Sequence, residues 1–302
     1  MALEEWVPDA LKNSRWIARQ FIEWQAPSGG VDIERCKYAQ PQPPWYYPGG
    51  GELCIPDTTV LYRFYEITGD ETYKKAADRY LRHYVTFSKE NPTYVLWDGK
   101  TYTLPTWQYS GVLLLAAEHR RYNPSDDSLL PIMDEFYEEV KRRRRTDGPY
   151  SYGYFPTDSH QDSGWSNDLS ALGSSLMAYY EVTGKREALD YAIGFTKYFA
   201  EEWVPRFLDS EGRWKSGVWS SRLGTWLIGP LHVTGFEMLP GIYADEAGWG
   251  YSSLTCVDYF VRVFRVNGDP VLRERAVCSM GWCFDYCQFP DGAVGIHAQD
   301  DK

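Results

Sequence analysis

Two histidines lie where an imidazole can take up or release a proton. His160 stands in the segment SHQDSGWSND, close to Asp162, Asn167 and Asp168, whose side chains can orient an imidazole or a substrate. His232 stands in the apolar stretch IGPLHVTGFEM, where a core histidine satisfied by its neighbours is as good an interpretation as a proton-transfer residue. The sequence therefore offers two candidate general bases.

Several carboxyl groups also have positions that suit acid–base chemistry. Glu237 and Asp245 flank a loop rich in Gly and Trp, and no helix-capping role accounts for them. Asp168 stands at the start of an apolar helical run, where aspartate commonly caps a helix, so its structural and chemical roles compete. Two carboxyl groups that face each other across a glycosidic bond are the usual machinery of its hydrolysis.

Aromatic residues are unusually abundant, at 17% of the chain, and many stand beside Gly and Pro rather than inside apolar helical runs. Core packing alone would not put them there. Flat rings with a polar edge suit the faces of sugars and protein partners alike. The candidate substrate-binding residues are Trp45, Tyr46, Tyr47, Trp107, Tyr109, Tyr154, Trp165, Trp219 and Trp249.

These residues are positioned by a repeat. Residues 65–70, 180–185 and 264–269 share one order: aromatic, charged, β-branched, Thr or Asn, Gly, polar. An apolar helical run precedes each segment and a second helical run follows it. Because Gly readily ends a helix in the left-handed conformation, each segment predicts the turn of a helical hairpin. In a fourth, degenerate copy, Asn123 and Pro124 replace the Gly.

The first helix of each hairpin is nearly apolar on all sides, whereas the second is amphipathic, as inner and outer helices of a ring would be. We therefore predict an all-α fold, an α/α toroid forming a complete or incomplete ring of about five to six antiparallel helical hairpins. Residues 1–302 form its single domain, with an opening helix at about 4–25 and a further helix within 222–238. The sequence stops at QDDK after a loop that would lead into another inner helix, so we expect a truncated chain or an open ring.

Turns within hairpins are short, but the connections between hairpins are long and rich in Gly, Trp, Tyr and Pro. Because hairpins alternate in direction, all the long connections should lie on one face, around a concave site. They comprise residues 26–52, 93–110, 147–168, 208–222 and 239–253.

Net charge and composition exclude several classes of protein. A net charge of −11 disfavours nucleic-acid binding, which needs clustered cations. No apolar run approaches the ~20 residues needed to span a bilayer, so we expect no membrane insertion. The first residues do not resemble a signal peptide. We therefore expect either a cytoplasmic protein or a protein exported after removal of a leader. We expect no cofactor and no metal cluster, with structural calcium on Asp158, Asp162 and Asp245 as the alternative.

Several segments resemble the α/α-toroid carbohydrate-active enzymes. They are GWSNDLSALGSSLMAYYEVTGKREALDYA, FRVNGDPVLRERA, QAPSGGV after the first helix and FPDGAVG after the last. That group includes toroidal polysaccharide lyases, unsaturated-glucuronyl hydrolases and sugar 2-epimerases. The resemblance covers nearly the whole chain and implies a poly- or oligosaccharide substrate. It is specific for the fold rather than the reaction, because hairpin geometry is what is shared.

A lyase that acts on uronic-acid glycans by β-elimination needs a group that neutralises the carboxylate, a base and an acid. Asn167 and Arg222 are the candidates that neutralise the carboxylate. His160 and His232 are the candidate bases, and Tyr251 and Tyr243 are the candidate acids. This activity is our first expectation. The alternatives are a glycoside hydrolase that pairs Glu237 with Asp245 or Asp168, a sugar epimerase, and a non-catalytic glycan-binding toroid.

Overall fold

A computed structural model describes eight segments of the chain, and every structural statement below concerns these segments. They are residues 6–31, 59–95, 101–104, 106–144, 166–198, 218–220, 225–227 and 250–294.

The described residues are nearly all helical. The helices are α1 (Val7–Trp24), α2 (Thr59–Thr68), α3 (Glu71–Glu90), α4 (Thr106–Tyr122), α5 (Leu130–Arg142), α6 (Ser166–Thr183), α7 (Arg186–Tyr198), α8 (Gly250–Asn267) and α9 (Pro270–Tyr286). The short strands β1 (Thr93–Val95) and β2 (Thr101–Thr103) form one antiparallel pair, and β3 (Val218–Ser220) and β4 (Thr225–Leu227) form another. The opening helix is confirmed. The helix predicted within 222–238 is wrong at residues 225–227, which pair as a strand instead.

The hairpin turns are confirmed. Gly69, Gly184 and Gly268 have φ values of 70°, 72° and 72°, and each backbone N–H donates to the carbonyl four residues earlier over 2.8 Å. In the degenerate copy, the N–H of Asn123 donates to the carbonyl of His119 over 2.9 Å. The four turns join α2 to α3, α4 to α5, α6 to α7 and α8 to α9. The same local geometry thus recurs wherever the sequence pattern recurs.

Helices α2, α4, α6 and α8, the first of each hairpin, form the inner layer, in which α4 packs against α2 and α6, and α6 packs against α8. Residues 110–119 of α4 and 172–179 of α6 are all buried, as expected of inner helices, whereas α2 and α8 keep exposed residues such as Glu66 and Asp258. Arg262 near the end of α8 bonds Glu181 near the end of α6 and Glu118 near the end of α4. The inner helices therefore run parallel, and their short turns lie at one end of the molecule, as the repeat predicted.

The outer helices bury one stripe each. In α5 that stripe is Met133, Phe136, Tyr137 and Val140, a spacing of three and four residues that marks one helical face. Lys141 and Arg142 occupy its last turn, where the helix dipole favours cations. This amphipathic pattern is what the outer layer of a toroid requires.

A turn repeated after α1 and after α9 shows how the ring closes. After α1, the Gln25 side chain donates to the carbonyl of Ala76 in α3 over 2.9 Å. After α9, the equivalent Gln288 donates to the carbonyl of Asp9 in α1 over 2.8 Å. Gly29 and Gly292, both with φ of 102°, lie against the next helix in the same way. Helices α9, α1 and α3 are therefore successive outer helices, and the first and last described helices are neighbours.

None of the described helices is both long and apolar enough to cross a membrane.

Candidate functional site

The starts of the inner helices gather sequence-predicted site residues at one end of the molecule. Asn167 and Asp168 are the second and third residues of α6, and Tyr251 is the second residue of α8. Trp107 is the second residue of α4. Because these helices run parallel and pack together, their first turns lie at the same end, opposite the short turns. Asp168 lies inside the first turn rather than at the cap position expected from the sequence.

The parallel arrangement also has an electrostatic consequence. The first N–H groups of a helix have no partners within the helix, and the peptide dipoles add a partial positive charge there. Helices α4, α6 and α8 point these ends in one direction. This end of the toroid consequently favours an anionic group such as a carboxylate.

Tyr109, near the start of α4, is a candidate substrate-binding residue whose side chain the structure describes. Its ring packs on Phe136 of α5 at a centroid distance of 5.5 Å, and the guanidinium of Arg143 lies 4.7 Å from its centroid. Burial raises the pKa of Tyr109, so the phenol stays protonated. Tyr109 is thus held between two helices and the arginine, with part of its surface still exposed.

Most of the other candidate residues lie outside the described residues. These are His160, Arg222, His232, Glu237, Tyr243 and Asp245 among the catalytic candidates, and Trp45, Tyr46, Tyr47, Tyr154, Trp165 and Trp249 among the binding candidates. Trp219 is the middle residue of β3, and its backbone pairs with that of Trp226 in β4. The suggested calcium ligands Asp158, Asp162 and Asp245 also lie outside. The described part of the chain contains no group of three or more potential ligands that could hold a metal.

A cavity of about 750 Å³ lies on the inner side of the ring. It runs beside α2 from Thr59 to Glu66 and beside α8 from Val257 to Arg265, and faces of α1, α4, α6 and α9 complete its wall. Pockets of a few hundred to about 1,000 Å³ are typical of small-molecule sites. The cavity therefore has room for a short saccharide.

Asp258 supplies a carboxylate to this cavity. Its Oδ2 accepts a hydrogen bond from Nε of Arg262 over 2.8 Å, yet half of its side chain is exposed because it faces the cavity. Burial acts to raise the pKa of Asp258, but the neighbouring Arg262 outweighs it and lowers that pKa. Asp258 also has a hydrogen bond with Ser174, and its half-exposed, ionised carboxylate can accept further hydrogen bonds from sugar hydroxyl groups.

A buried ion cluster lies at the short-turn end of the inner layer. Arg262 donates to Glu118, to Glu181 over 2.9 Å and to Asp258, and Arg63 donates to Glu118 over 3.3 Å. The side chains of Arg262 and Glu118 are 5% and 1% exposed. Burial raises the pKa of Glu181, although Arg262 opposes the shift. This cluster was not predicted from the sequence, although an arginine in the apolar run VDYFVRVF indicates a buried partner for its charge.

No family model matches the chain, and comparison with curated proteins gave no match. Solved structures do resemble it. An α-1,6-mannanase of Salegentibacter sp., an inactive variant in complex with α-1,6-mannotetrose, superposes with a TM-score of 0.56 at 13% identity, over 88% of this chain and 68% of that one. A GH76 α-mannanase of Bacteroides thetaiotaomicron gives 0.53 at 12% identity, over 80% of this chain.

The chain spans 60% of the Bacteroides mannanase. A cellobiose 2-epimerase of Spirochaeta thermophila gives a TM-score of 0.50 at 12% identity, over 97% of this chain and 90% of that one. All three are α/α-toroid carbohydrate enzymes. At this level of identity the likeness establishes the α/α-toroid fold.

Proposed function

We propose that this protein is a carbohydrate-active enzyme that binds its glycan at the end of the toroid where the inner helices begin. The fold likeness to mannanases and an epimerase supports the general class. The first candidate reaction is cleavage of a uronic-acid glycan by β-elimination. One observation carries it: α6 and α8 are parallel neighbours, so the first turns that bear Asn167 and Tyr251 are close in space.

The β-elimination needs no co-reactant. A histidine, His160 or His232, takes the proton on the carbon next to the substrate carboxylate. Asn167 and the helix N-terminal N–H groups stabilise the charge that builds on the carboxylate. As the C=C bond forms, the C–O bond to the neighbouring sugar breaks, and Tyr251 gives its proton to the leaving oxygen.

The test uses the ultraviolet absorbance of the conjugated C=C product. We expect absorbance to rise when polyuronates such as alginate, glucuronan or polygalacturonate are added. Tyr251→Phe should lower the rate at least ~100-fold, since a general acid typically contributes that much. Tyr65→Phe makes the same chemical change in α2, away from the starts of the inner helices, and should leave the rate unchanged. No rise with any polyuronate would reject the lyase.

Glycoside hydrolysis is the second candidate, and the likeness to the mannanases favours it. Asp168 lies in the first turn of α6, so its backbone is at the same end as the proposed lyase residues. Its carboxyl partner would be Glu237, which could instead pair with Asp245. We expect Asp168→Asn or Glu237→Gln to abolish release of reducing sugar from an α-1,6-mannan. Full release by both variants would reject this pair.

The same assays separate the remaining classes. An epimerase would convert cellobiose into a product of equal mass with neither new absorbance nor additional reducing ends. A non-catalytic glycan-binding toroid would bind saccharides without any product.

A further inference from the structure

A second candidate binding surface lies on α1. Residues of this helix and Asp291 of the repeated turn line a groove of about 470 Å³, which we call the α1 groove. Its helical residues are Lys12, Arg15, Trp16, Arg19, Gln20, Glu23 and Trp24. Residues 12, 16, 20 and 24 form one row along the helix and residues 15, 19 and 23 the next, so all of them share one face.

The cations of the α1 groove have no ion-pair partner among the residues that the structure describes. Lys12, Arg15 and Arg19 are exposed, and no described carboxylate lies within ion-pair distance of them. The helix dipole does not account for them either, since the last turn of α1 contains no basic residue. Among the described residues that line the groove, Glu23 and Asp291 are the only acidic ones, on a chain whose net charge is −11.

Two tryptophans accompany the cations. The rings of Trp16 and Trp24 meet edge to face at 6.2 Å and 85°, and both residues remain partly exposed. The hydrophobic core takes up Phe21 and Ile22 from the same helix but neither tryptophan. Trp16 also lines the central cavity, so the groove and the cavity share a wall.

We propose that the α1 groove binds an acidic oligosaccharide, with its carboxylates on Arg15 and Arg19 and a sugar face on the tryptophans. Guanidinium groups bind carboxylates through paired hydrogen bonds, and indole rings offer a flat apolar surface with a polar edge. The groove lies on the outer helix α1, whereas the residues that we assign to catalysis include Asn167 and Tyr251 at the starts of inner helices. The choice of a uronate as the acidic sugar rests on the proposed function.

Titration calorimetry with hexagalacturonate, and with cellohexaose as the neutral sugar, tests this site. Arg15→Gln combined with Arg19→Gln should weaken binding of hexagalacturonate by about tenfold, equivalent to two modest charge-assisted contacts. Lys75→Gln combined with Arg82→Gln makes the same charge change on α3 and should have no effect. Added salt should weaken binding by the wild type, because exposed charges are screened.

Four results would overturn the proposal: no binding of hexagalacturonate by the wild type, equal loss in both double variants, no loss in either, or equally tight binding of cellohexaose. Single-stranded DNA of matched charge is a third ligand, and binding of this DNA as tight as that of hexagalacturonate would also overturn the proposal, because it would indicate a general polyanion surface. Turnover is measured separately. Absent lyase activity with intact binding in the α1 groove would reject the proposed lyase reaction alone, and the reverse result would reject this site alone.

Discussion

His119 lies between two carboxylates that are distant from each other in the sequence. Its Nδ1 is 2.8 Å from Oδ1 of Asp78 in α3, and its Nε2 is 3.0 Å from Oδ2 of Asp126 in the turn after α4. Tyr62 also donates to Asp78 over 2.8 Å. Burial acts to lower the pKa of His119, but the hydrogen bonds to Asp78 and Asp126 outweigh it and raise the pKa. The cluster therefore favours a charged imidazole.

This arrangement predicts how the free energy of unfolding depends on pH. The stabilisation that the charged His119 provides is complete below the pKa of about 6.5 that histidine has in the unfolded chain. It is lost as the pH rises through the higher pKa of His119 in the folded protein. For Asp78, burial acts to raise the pKa, but hydrogen bonds from His119, Tyr62 and Lys74 lower it. The contribution of Asp78 to the free energy of unfolding is present above the unfolded aspartate pKa of about 3.9. It is lost as the pH falls through the lower folded value.

We therefore expect urea unfolding to show greater stability at pH 5.5 than at pH 8.5, with His119→Gln removing most of this difference. His83→Gln removes a histidine from α3 and should preserve it. A wild-type curve that is flat over this interval would contradict the assignment.

The approach of α6 to α8 depends on a residue with no side chain. A Cβ built on Gly173 would lie 2.4 Å from the ring of Tyr259, whose hydroxyl donates to the carbonyl of Ala192 in α7 over 2.6 Å. The ring is fully buried. The sequence marked the turn glycines by their recurring pattern, but nothing local marked Gly173, because its role depends on a residue far along the chain.

We expect Gly173→Ala to lower the free energy of unfolding by about 1–3 kcal/mol through overpacking. Gly184→Asn is the control, since asparagine tolerates the left-handed conformation and the space around that position is open. Combining Gly173→Ala with Tyr259→Leu should cost less than the sum of the two single changes. Additive losses in denaturant unfolding would show that the two positions do not clash.

At the scale of the whole molecule, the ion cluster ties four inner helices together. Arg262 of α8 bonds carboxylates of α6 and α4, and Glu118 of α4 also accepts from Arg63 of α2. Ring closure through α1 and α9 adds a buried bond from Asn13 to the carbonyl of Gly292 over 2.9 Å. The inner and outer layers are therefore each held by polar contacts between helices far apart in the sequence.

We expect Arg262→Met to lower the free energy of unfolding by about 3–5 kcal/mol, because Glu118 would lose a partner while it remains buried. Arg186→Met, which removes an exposed ion pair with Asp190, should change it by less than about 1 kcal/mol. The double variant Arg262→Met with Glu118→Leu should recover much of the loss. Equal losses for Arg262→Met and Arg186→Met, measured by denaturant unfolding, would contradict a structural role for the cluster.

The amino-acid sequence alone determined the helical hairpins, their turns and the division into inner and outer helices. These features depend on the backbone freedom of Gly and on side-chain periodicity, both of which act over a few residues. The tertiary structure alone decided that α9 lies against α1, that Gly173 must lack a side chain, and that Arg262 and Glu118 meet across 144 residues. Those contacts depend on which helices become neighbours when the chain closes, and local preferences carry no information about such distant pairs.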